Sequence, residues 1–212
     1  MEKIFFVIIS IIFSSILCDL VVLNFDRVKD IYSDDDDEVS LNIFKNDIYC
    51  NMTVGDQKIP FLIVFDKELT FIVDNNYTFS KYNREKSKNF QRKSEKINNY
   101  VFEHLQLGFN ASDTFSLNNQ NNKKIKVSDM PFILGTYINP KSDFQFPAQL
   151  GLKKKTYQNP QIFNFIENLK LKGIINSQVF FFKFNENEGG KIVIGSYPHE
   201  YDKDYDAKYL IQ

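Results

Sequence analysis

The sequence has 212 residues, a formal net charge of −1 and an aromatic content of 16%, which comes from 22 Phe and 11 Tyr. A nearly balanced charge gives no electrostatic reason to expect a nucleic acid or an anionic membrane surface as a partner. The aromatic content favours strands over helices and argues against disorder of the whole chain. The length suits one domain with a hydrophobic core.

Residues 1–18 are predicted to be a secretory signal peptide. Lys3 gives a short basic start, and residues 4–17 form a run of apolar and small residues that ends before Asp19. This run is shorter than the ~20 residues that a membrane-spanning helix needs, and it suits cleavage near Cys18. The alternative is an uncleaved signal anchor, which would make a membrane a partner. We expect the secretory pathway, and then an extracellular, lysosome-like or vacuole-like location.

Residues 19–40 are predicted to be an acidic linker or a propeptide-like segment. They include an unbroken acidic run from Asp34 to Glu38, whose like charges repel each other and favour solvation. The folded domain is predicted to cover residues 41–212.

From Leu41 onwards the sequence pattern predicts an all-β domain. Short apolar or alternating runs are separated by turn residues, as in strands that pack one face against a core. The predicted strands are 47–54, 59–65, 69–73, 100–109, 114–117, 124–127, 131–138, 179–184 and 191–194. The predicted turns are 55–58, 118–122 and 187–190. The basic stretch 81–96 is predicted to be a solvated loop.

One short helix is predicted after Asn159-Pro160, an N-cap followed by an N1 proline. Apolar residues then recur at helical spacing as far as Leu169, and Lys170 and Lys172 occupy the last turn. Gly173 is predicted to end the helix as its C′ residue.

Three Asn-x-Ser/Thr sequons agree with an exported protein. We predict glycosylation at Asn76 and Asn110, and we regard Asn51 as the least suitable acceptor because it lies inside a predicted strand. Cys50 is alone once the signal peptide is removed at or after Cys18, which leaves no intrachain disulfide and no thiolate metal cluster. Since the histidines, at 104 and 199, have no plausible partners, we predict no metal and no cofactor.

Several segments, in order, resemble the N-terminal lobe of the pepsin-like aspartic peptidases, over about residues 41–205. They are Tyr49-x-x-Met52-x-Val54-Gly55, its ungapped spacing to Phe65-Asp66, the loop Tyr82–Phe90, the strand Gly108–Leu117, Leu150-Gly151-Leu152, and the hairpin Val179–Gly195. The resemblance implies an all-β lobe of orthogonally packed sheets with one short helix. It also implies a polypeptide substrate or peptide ligand as the partner.

The family hydrolyses peptide bonds with two aspartates, one from each lobe, which share a proton around one water. The resemblance assigns Asp66 as the only catalytic candidate and Tyr100 as the tyrosine of the substrate-covering flap. In the family the aspartate opens an Asp-Thr-Gly or Asp-Ser-Gly triplet, whereas here Lys67 and Glu68 follow it. Lys67 removes the bracing hydroxyl, and Glu68 adds a side chain where the family has bare backbone.

No other Asp in the sequence precedes Thr-Gly or Ser-Gly, and the sequence stops at Gln212, about where a second lobe would begin. We therefore expect a single lobe of an aspartic-type endopeptidase that is inactive alone. Two alternatives stay open. One is a secreted pseudoprotease that binds extended peptides without cleavage, and the other is a structural surface glycoprotein.

Overall fold

The computed structural model describes residues 20–27, 48–76, 80–97, 105–138, 146–154, 164–184 and 189–202. The described strands are β1 Val21–Arg27, β2 Ile48–Val54, β3 Gln57–Val64, β4 Phe71–Val73, β5 Gln91–Ile97, β6 Leu105–Asn118, β7 Lys124–Ile138, β8 Ala148–Gly151, β9 Phe180–Phe184 and β10 Gly190–Ile194. The described helices are α1 Phe165–Leu171, α2 Pro198–Tyr201 and a 3₁₀ turn at Arg84–Lys86.

The strands form one mixed sheet in the order β5-β6-β7-β4-β8-β3-β2-β1-β10-β9. Strand β6 also pairs with β2 and β1, so the sheet folds over and its pairings close a circuit through β6, β7, β4, β8, β3 and β2. The pairs β3–β8 and β4–β7 are parallel, and the other pairs are antiparallel. The predicted all-β fold is confirmed.

The β2–β3 hairpin shows how the sequence pattern produces the sheet. Side chains of β2 alternate between buried and more open positions, and β3 is buried at Ile59 and from Phe61 to Ile63. Val54 pairs with Gln57, so the strands are joined by the two residues Gly55 and Asp56, with φ values of 53° and 65°. Positive φ at both central residues is the geometry of a type I′ hairpin turn.

Four predicted strand pieces merge into the two long strands β6 and β7. Register shifts interrupt their pairing, including one between Asp113 and Phe115. Asp129, in the middle of β7, has a φ of 54°, a left-handed conformation that Asp tolerates better than most residues. Because of these irregularities, apolar and polar residues do not alternate strictly along β6 and β7, and the sequence pattern predicts shorter strands. The predicted hairpin tip at 118–122 is present, closed by the bond from Asn119 N to Lys123 O.

Two predictions need correction. The stretch 81–96 is not a loop throughout, because Gln91–Ile97 is the edge strand β5, paired with β6. Its polar composition concealed it, and Arg92 covers the Phe109 ring at 4.6 Å. The segment 19–40 is not a linker throughout, because Val21–Arg27 is strand β1, paired with β2 and β10. The acidic run and the predicted signal peptide lie outside the described residues.

The predicted helix is present among the described residues as α1, which begins at Phe165. Asn164 is its N-cap, and its Oδ1 accepts a bond from Glu167 N at 2.9 Å. The proposed cap at Asn159 lies outside the described residues. Gly173 ends the helix with a φ of 67°, and the bonds from Gly173 N to Lys170 O and from Ile174 N to Leu169 O form a Schellman motif.

The buried side chains form two clusters. The larger one fills the interior of the folded sheet and contains seven fully buried Phe or Tyr side chains. These are Tyr82, Phe25, Phe61, Phe109, Phe115, Phe132 and Phe165. The smaller cluster is separate and is built from Leu62, Leu69, Phe71, Val73, Leu105, Ile133 and Ile138. Strands β3 and β4 contribute to both clusters, and the candidate functional site follows β3.

Candidate functional site

Asp66 lies just beyond the carboxyl end of β3. The strand β3 that precedes it is hydrogen-bonded to β2 on one side and to β8 on the other, and its buried side chains pack into both clusters. The chain then leaves the sheet through Phe65 and Asp66, which are both exposed. It returns to the interior at Leu69 and Thr70, each 1% exposed. We call the turn 65–70 the Asp66 loop.

The carboxylate of Asp66 is open to solvent and lies beside an ammonium group. Its side chain is 75% exposed, and Oδ2 is 3.6 Å from Lys67 Nζ, whose side chain is 40% exposed. An ion pair between two exposed side chains contributes at most about 1 kcal/mol. Lys67 therefore places a positive charge next to the candidate catalytic group while leaving it hydrated.

The main chain of the Asp66 loop and of the end of β3 is hydrogen-bonded to the residues that follow β8. Leu152 N donates to Val64 O and Lys153 N donates to Lys67 O, each at 3.0 Å. A Cβ atom at Gly151 would lie 2.7 Å from backbone atoms of residues 67, 68 and 69. Only glycine allows this close approach of two backbones. The Leu-Gly-Leu segment thus holds the loop through its main chain.

The hydroxyl that braces this loop in the family has no counterpart among the described residues. Thr70 is the next hydroxyl-bearing residue after Asp66, and its Oγ1 is buried with no hydrogen-bond partner in the described part of the chain. It therefore does not bond the carboxylate of Asp66. The main-chain support of the loop is present, whereas side-chain support of the aspartate by this hydroxyl is missing.

A buried carboxylate that the sequence did not single out lies in β6. Asp113 is fully buried and accepts bonds from Tyr82 Oη at 2.7 Å, Ser87 Oγ at 2.9 Å and Thr114 N at 2.7 Å. Burial, together with the bond to Asp113, raises the pKa of Tyr82 far above its ordinary value. The sequence pattern does not reveal this network, because the partners Tyr82 and Ser87 are 31 and 26 residues away from Asp113 in the chain.

This buried network has a structural role. A Cβ atom at Gly55 would lie 2.3 Å from Ser87 Oγ and 2.4 Å from Asp113 Oδ2, so the β2–β3 turn is packed directly against the network. Gln57 adds two bonds to Asn83, from its Nε2 to Asn83 O at 3.0 Å and from Asn83 N to its Oε1 at 2.8 Å. The bonds of Asp113 attach the loop that begins at Tyr82 to the hairpin and leave this carboxylate no access to a substrate.

Tyr100, the predicted flap residue, lies outside the described residues, as does His104. His199 stacks on Tyr197 with ring centroids 5.8 Å apart. Within the described ranges, no three His, Cys, Asp or Glu side chains are grouped so as to hold a metal ion. Cys50 is a free thiol, and burial raises its pKa to about 12, so it is not a reactive nucleophile.

The sequons differ in their surroundings. Asn76 is exposed in the turn after β4, and Asn110 is partly buried within β6. Asn110 Oδ1 is buried and has no hydrogen-bond partner among the described residues. Asn51, in β2, is exposed. Glycosylation at Asn76 and at Asn110 stays a prediction.

A comparison with protein families decides which family this fold and loop represent. The family model described as eukaryotic aspartyl protease matches residues 50–207, which include the Asp66 loop, the Asp113 network and the closing hairpin. The chain belongs to the eukaryotic aspartyl protease family. No match was found among curated proteins. Family membership confirms the resemblance of the separate motifs, and Asp66 stays the predicted catalytic candidate.

Proposed function

We propose that this lobe binds extended polypeptides and does not hydrolyse them with its own residues. The observation that carries the proposal is the geometry of Asp66. Its carboxylate is 75% exposed and lies 3.6 Å from Lys67 Nζ, in a loop whose backbone is still held by β8. The scaffold of the site is kept, and the chemical surroundings of the aspartate are changed.

The family's mechanism explains why these surroundings prevent hydrolysis. One carboxyl must act as base toward water and a second must donate a proton, which requires two carboxyls close enough to share a proton. Beside Asp66, the described residues instead place an ammonium group, Lys67 Nζ, 3.6 Å from Oδ2. An exposed carboxylate also does not fix the attacking water within the few tenths of an ångström that the reaction needs.

Peptide binding is supported by what the lobe retains. The family binds polypeptides as substrates, and the Asp66 loop keeps its place at the end of β3 through the contacts of Gly151, Leu152 and Lys153. Substitutions at 67 and 68 alter the reacting centre without removing this support. A second candidate is an endopeptidase completed by a carboxyl from another lobe or chain, which would approach Asp66 from its exposed side and cover it.

The test compares turnover with binding in the full-length protein. Cleavage of an unfolded protein is measured at acid pH for the wild type, Asp66→Asn and the matched control Asp129→Asn, with and without a statine-type inhibitor. Binding of fluorescent extended peptides is measured by anisotropy under the same conditions. We expect no turnover in any variant, and saturable binding that Asp129→Asn leaves unchanged.

The alternative outcomes discriminate between the candidates. Turnover that the inhibitor blocks, and that Asp66→Asn but not Asp129→Asn abolishes, would overturn the proposal in favour of the endopeptidase. The absence of both turnover and peptide binding would favour a structural glycoprotein.

The double variant Lys67→Thr with Glu68→Gly restores the family triplet. If it gains turnover, the triplet alone limits activity, and if it does not, a second carboxyl is also missing.

We further propose that the protein enters the secretory pathway and functions outside the cell or in a lysosome-like compartment. The support is the predicted signal peptide at residues 1–18, the sequons and the family. No helix in the described ranges is both long and apolar enough to span a membrane. Detection of a cleaved N-terminus near residue 18 in the culture medium would support this route, and retention of the intact chain in membranes would favour the signal anchor.

A further inference from the structure

The strands β1, β2 and β6 meet in a fork that exposes Asn51. Strand β2 pairs with β1 from Ile48 to Cys50, and it pairs with β6 at Thr53 and Val54. Asn51 therefore follows the end of one ladder and precedes the start of the other. Its side chain is exposed on the outer face of β2, while Cys50 and Met52 on either side are buried.

A polar groove of about 240 Å³ opens at this fork. Besides Asn51 it is lined by the amide, carboxylate, ammonium and hydroxyl groups of Asn24, Asp26, Lys58, Ser116 and Asn118. Asn24, Asp26 and Lys58 are exposed. These groups supply both donors and acceptors, which is the lining that a sugar, rich in hydroxyl groups, can hydrogen-bond.

We propose that Asn51 carries an N-linked glycan whose first sugar lies in this groove. Asn51-Met52-Thr53 is an acceptor sequon, and Thr53 lies on the same face of β2 because alternate residues of a strand point the same way. The structure thus favours a site that its position inside a strand argued against. The proposal rests on the secretory route proposed above.

The other sequons provide internal references. Asn76 is exposed in the turn after β4 and does not line this groove, so a glycan there lacks these groove contacts. Asn110 is partly buried between β5 and β7, and its Oδ1 is shielded from solvent. A glycan on Asn110 would have to leave a crowded position in the sheet, whereas one on Asn51 meets open space.

The test is secretion of the full chain, with its own N-terminus, from cultured eukaryotic cells. Occupancy of each sequon is measured by mass spectrometry after release with peptide N-glycosidase. We expect a glycan on Asn51, in addition to those predicted for Asn76 and Asn110. Thr53→Ala should lose the glycan on Asn51 only, and Thr53→Ser, which preserves the sequon, should retain it. On the native protein, peptide N-glycosidase should release the glycan of Asn51 several-fold more slowly than the glycan of Asn76. Denaturation of the protein should remove this difference.

The outcomes distinguish the proposed glycosylation of Asn51 from the proposed entry into the secretory pathway. Glycosylated Asn76 with unmodified Asn51 would overturn the proposal and leave the secretory route standing. A chain without any glycan that stays in the cytosol would overturn both. If Asn51 is modified but its glycan is released from the native protein as fast as that of Asn76, the glycan is present but does not lie in the groove.

Discussion

At the scale of single residues, the buried carboxylate of Asp113 depends on the hydroxyl groups of Tyr82 and Ser87. We expect Tyr82→Phe to lower the free energy of unfolding by about 1–3 kcal/mol, because it leaves a buried acceptor with one donor fewer. The measurement is denaturant unfolding at neutral pH. Tyr137→Phe is the control, since that side chain is 43% exposed and its loss should change stability by less than about 0.5 kcal/mol. Equal effects of the two substitutions would contradict a role for the network.

Asp129 should make stability depend on pH. Bonds from Lys93 Nζ at 2.8 Å and from Ser112 Oγ at 2.6 Å hold the pKa of Asp129 below its ordinary value. A lowered pKa in the folded state contributes stability at neutral pH that is lost as pH falls through that value. Because the side chain is 51% exposed, Asp129→Asn should cost less than about 1 kcal/mol.

The pH profile of unfolding distinguishes this effect from a general loss of stability. Asn tolerates the left-handed backbone at 129, so the substitution changes charge and little else. The difference between wild type and Asp129→Asn should be largest near neutral pH and shrink below about pH 4, where an unfolded carboxyl is protonated. A difference that is constant from neutral to strongly acid pH would show that the carboxylate's charge is not responsible.

The positions of single candidate residues could be predicted where those residues belong to a sequence motif. The spacing from Gly55 to Asp66 points to the candidate carboxylate, and its role stays a prediction. The same motif said nothing of the 3.6 Å approach of Lys67, because a rotamer depends on neighbours that are distant in sequence. Asp113 was missed for the same reason, since a carboxylate in a strand shows no partner until the chain folds.

At the scale of elements, the β2–β3 turn can be tested with two glycines that share one backbone conformation. Gly55 and Gly173 have φ values of 53° and 67°. An added Cβ at Gly55 would overlap Ser87 and Asp113, whereas at Gly173 nothing lies within 4 Å. We expect Gly173→Ala to cost about 1 kcal/mol, the price of a left-handed alanine.

Gly55→Ala carries the same backbone cost and adds a steric conflict with the buried network, so we expect it to cost about 2 kcal/mol more, or to prevent folding. Urea unfolding of both variants measures the difference. Near-equal losses would mean that the turn tolerates the added methyl group by moving away from Ser87. In that case the network would not fix the position of the hairpin.

Elements were predictable where apolar residues alternated or clustered. The buried runs of β2, β3 and β10 agree with the structure to within two residues at each end. The long strands β6 and β7 were divided because Asp113 and Asp129 interrupt their patterns at irregular pairings. Strand β5 was missed because an edge strand needs no apolar face, and basic side chains protect such an edge from further pairing.

At the scale of the whole molecule, β1 joins parts of the fold that are far apart in sequence. Val21 pairs with Ile194, and Phe25 pairs with both Cys50 and Gly190. These are long-range contacts that local composition cannot reveal. The neighbouring acidic run dominates the sequence pattern, which therefore predicts an acidic linker or a propeptide-like segment for residues 19–40. The strand shows that the first described residues complete the sheet.

Phe25 tests whether this strand stabilises the whole domain. Its ring is 2% exposed and meets Phe182 and Phe184 edge-on, with centroids 5.8 and 5.6 Å away. We expect Phe25→Ala to lower the free energy of unfolding by about 3–5 kcal/mol, through lost burial and the cavity left behind. Leu171→Ala is the control, since that side chain is 76% exposed and should matter by less than about 0.5 kcal/mol.

Two probes of the same unfolding reaction then decide how far the effect of β1 extends. Near-ultraviolet dichroism reports the packed aromatic rings, and far-ultraviolet dichroism reports the sheet. If β1 belongs to the single cooperative unit, Phe25→Ala shifts both transitions to lower denaturant by the same amount. If only the near-ultraviolet signal shifts, the aromatic packing around β1 is lost while the remaining sheet stays folded. Strand β1 would then unfold locally and would not belong to the single cooperative unit.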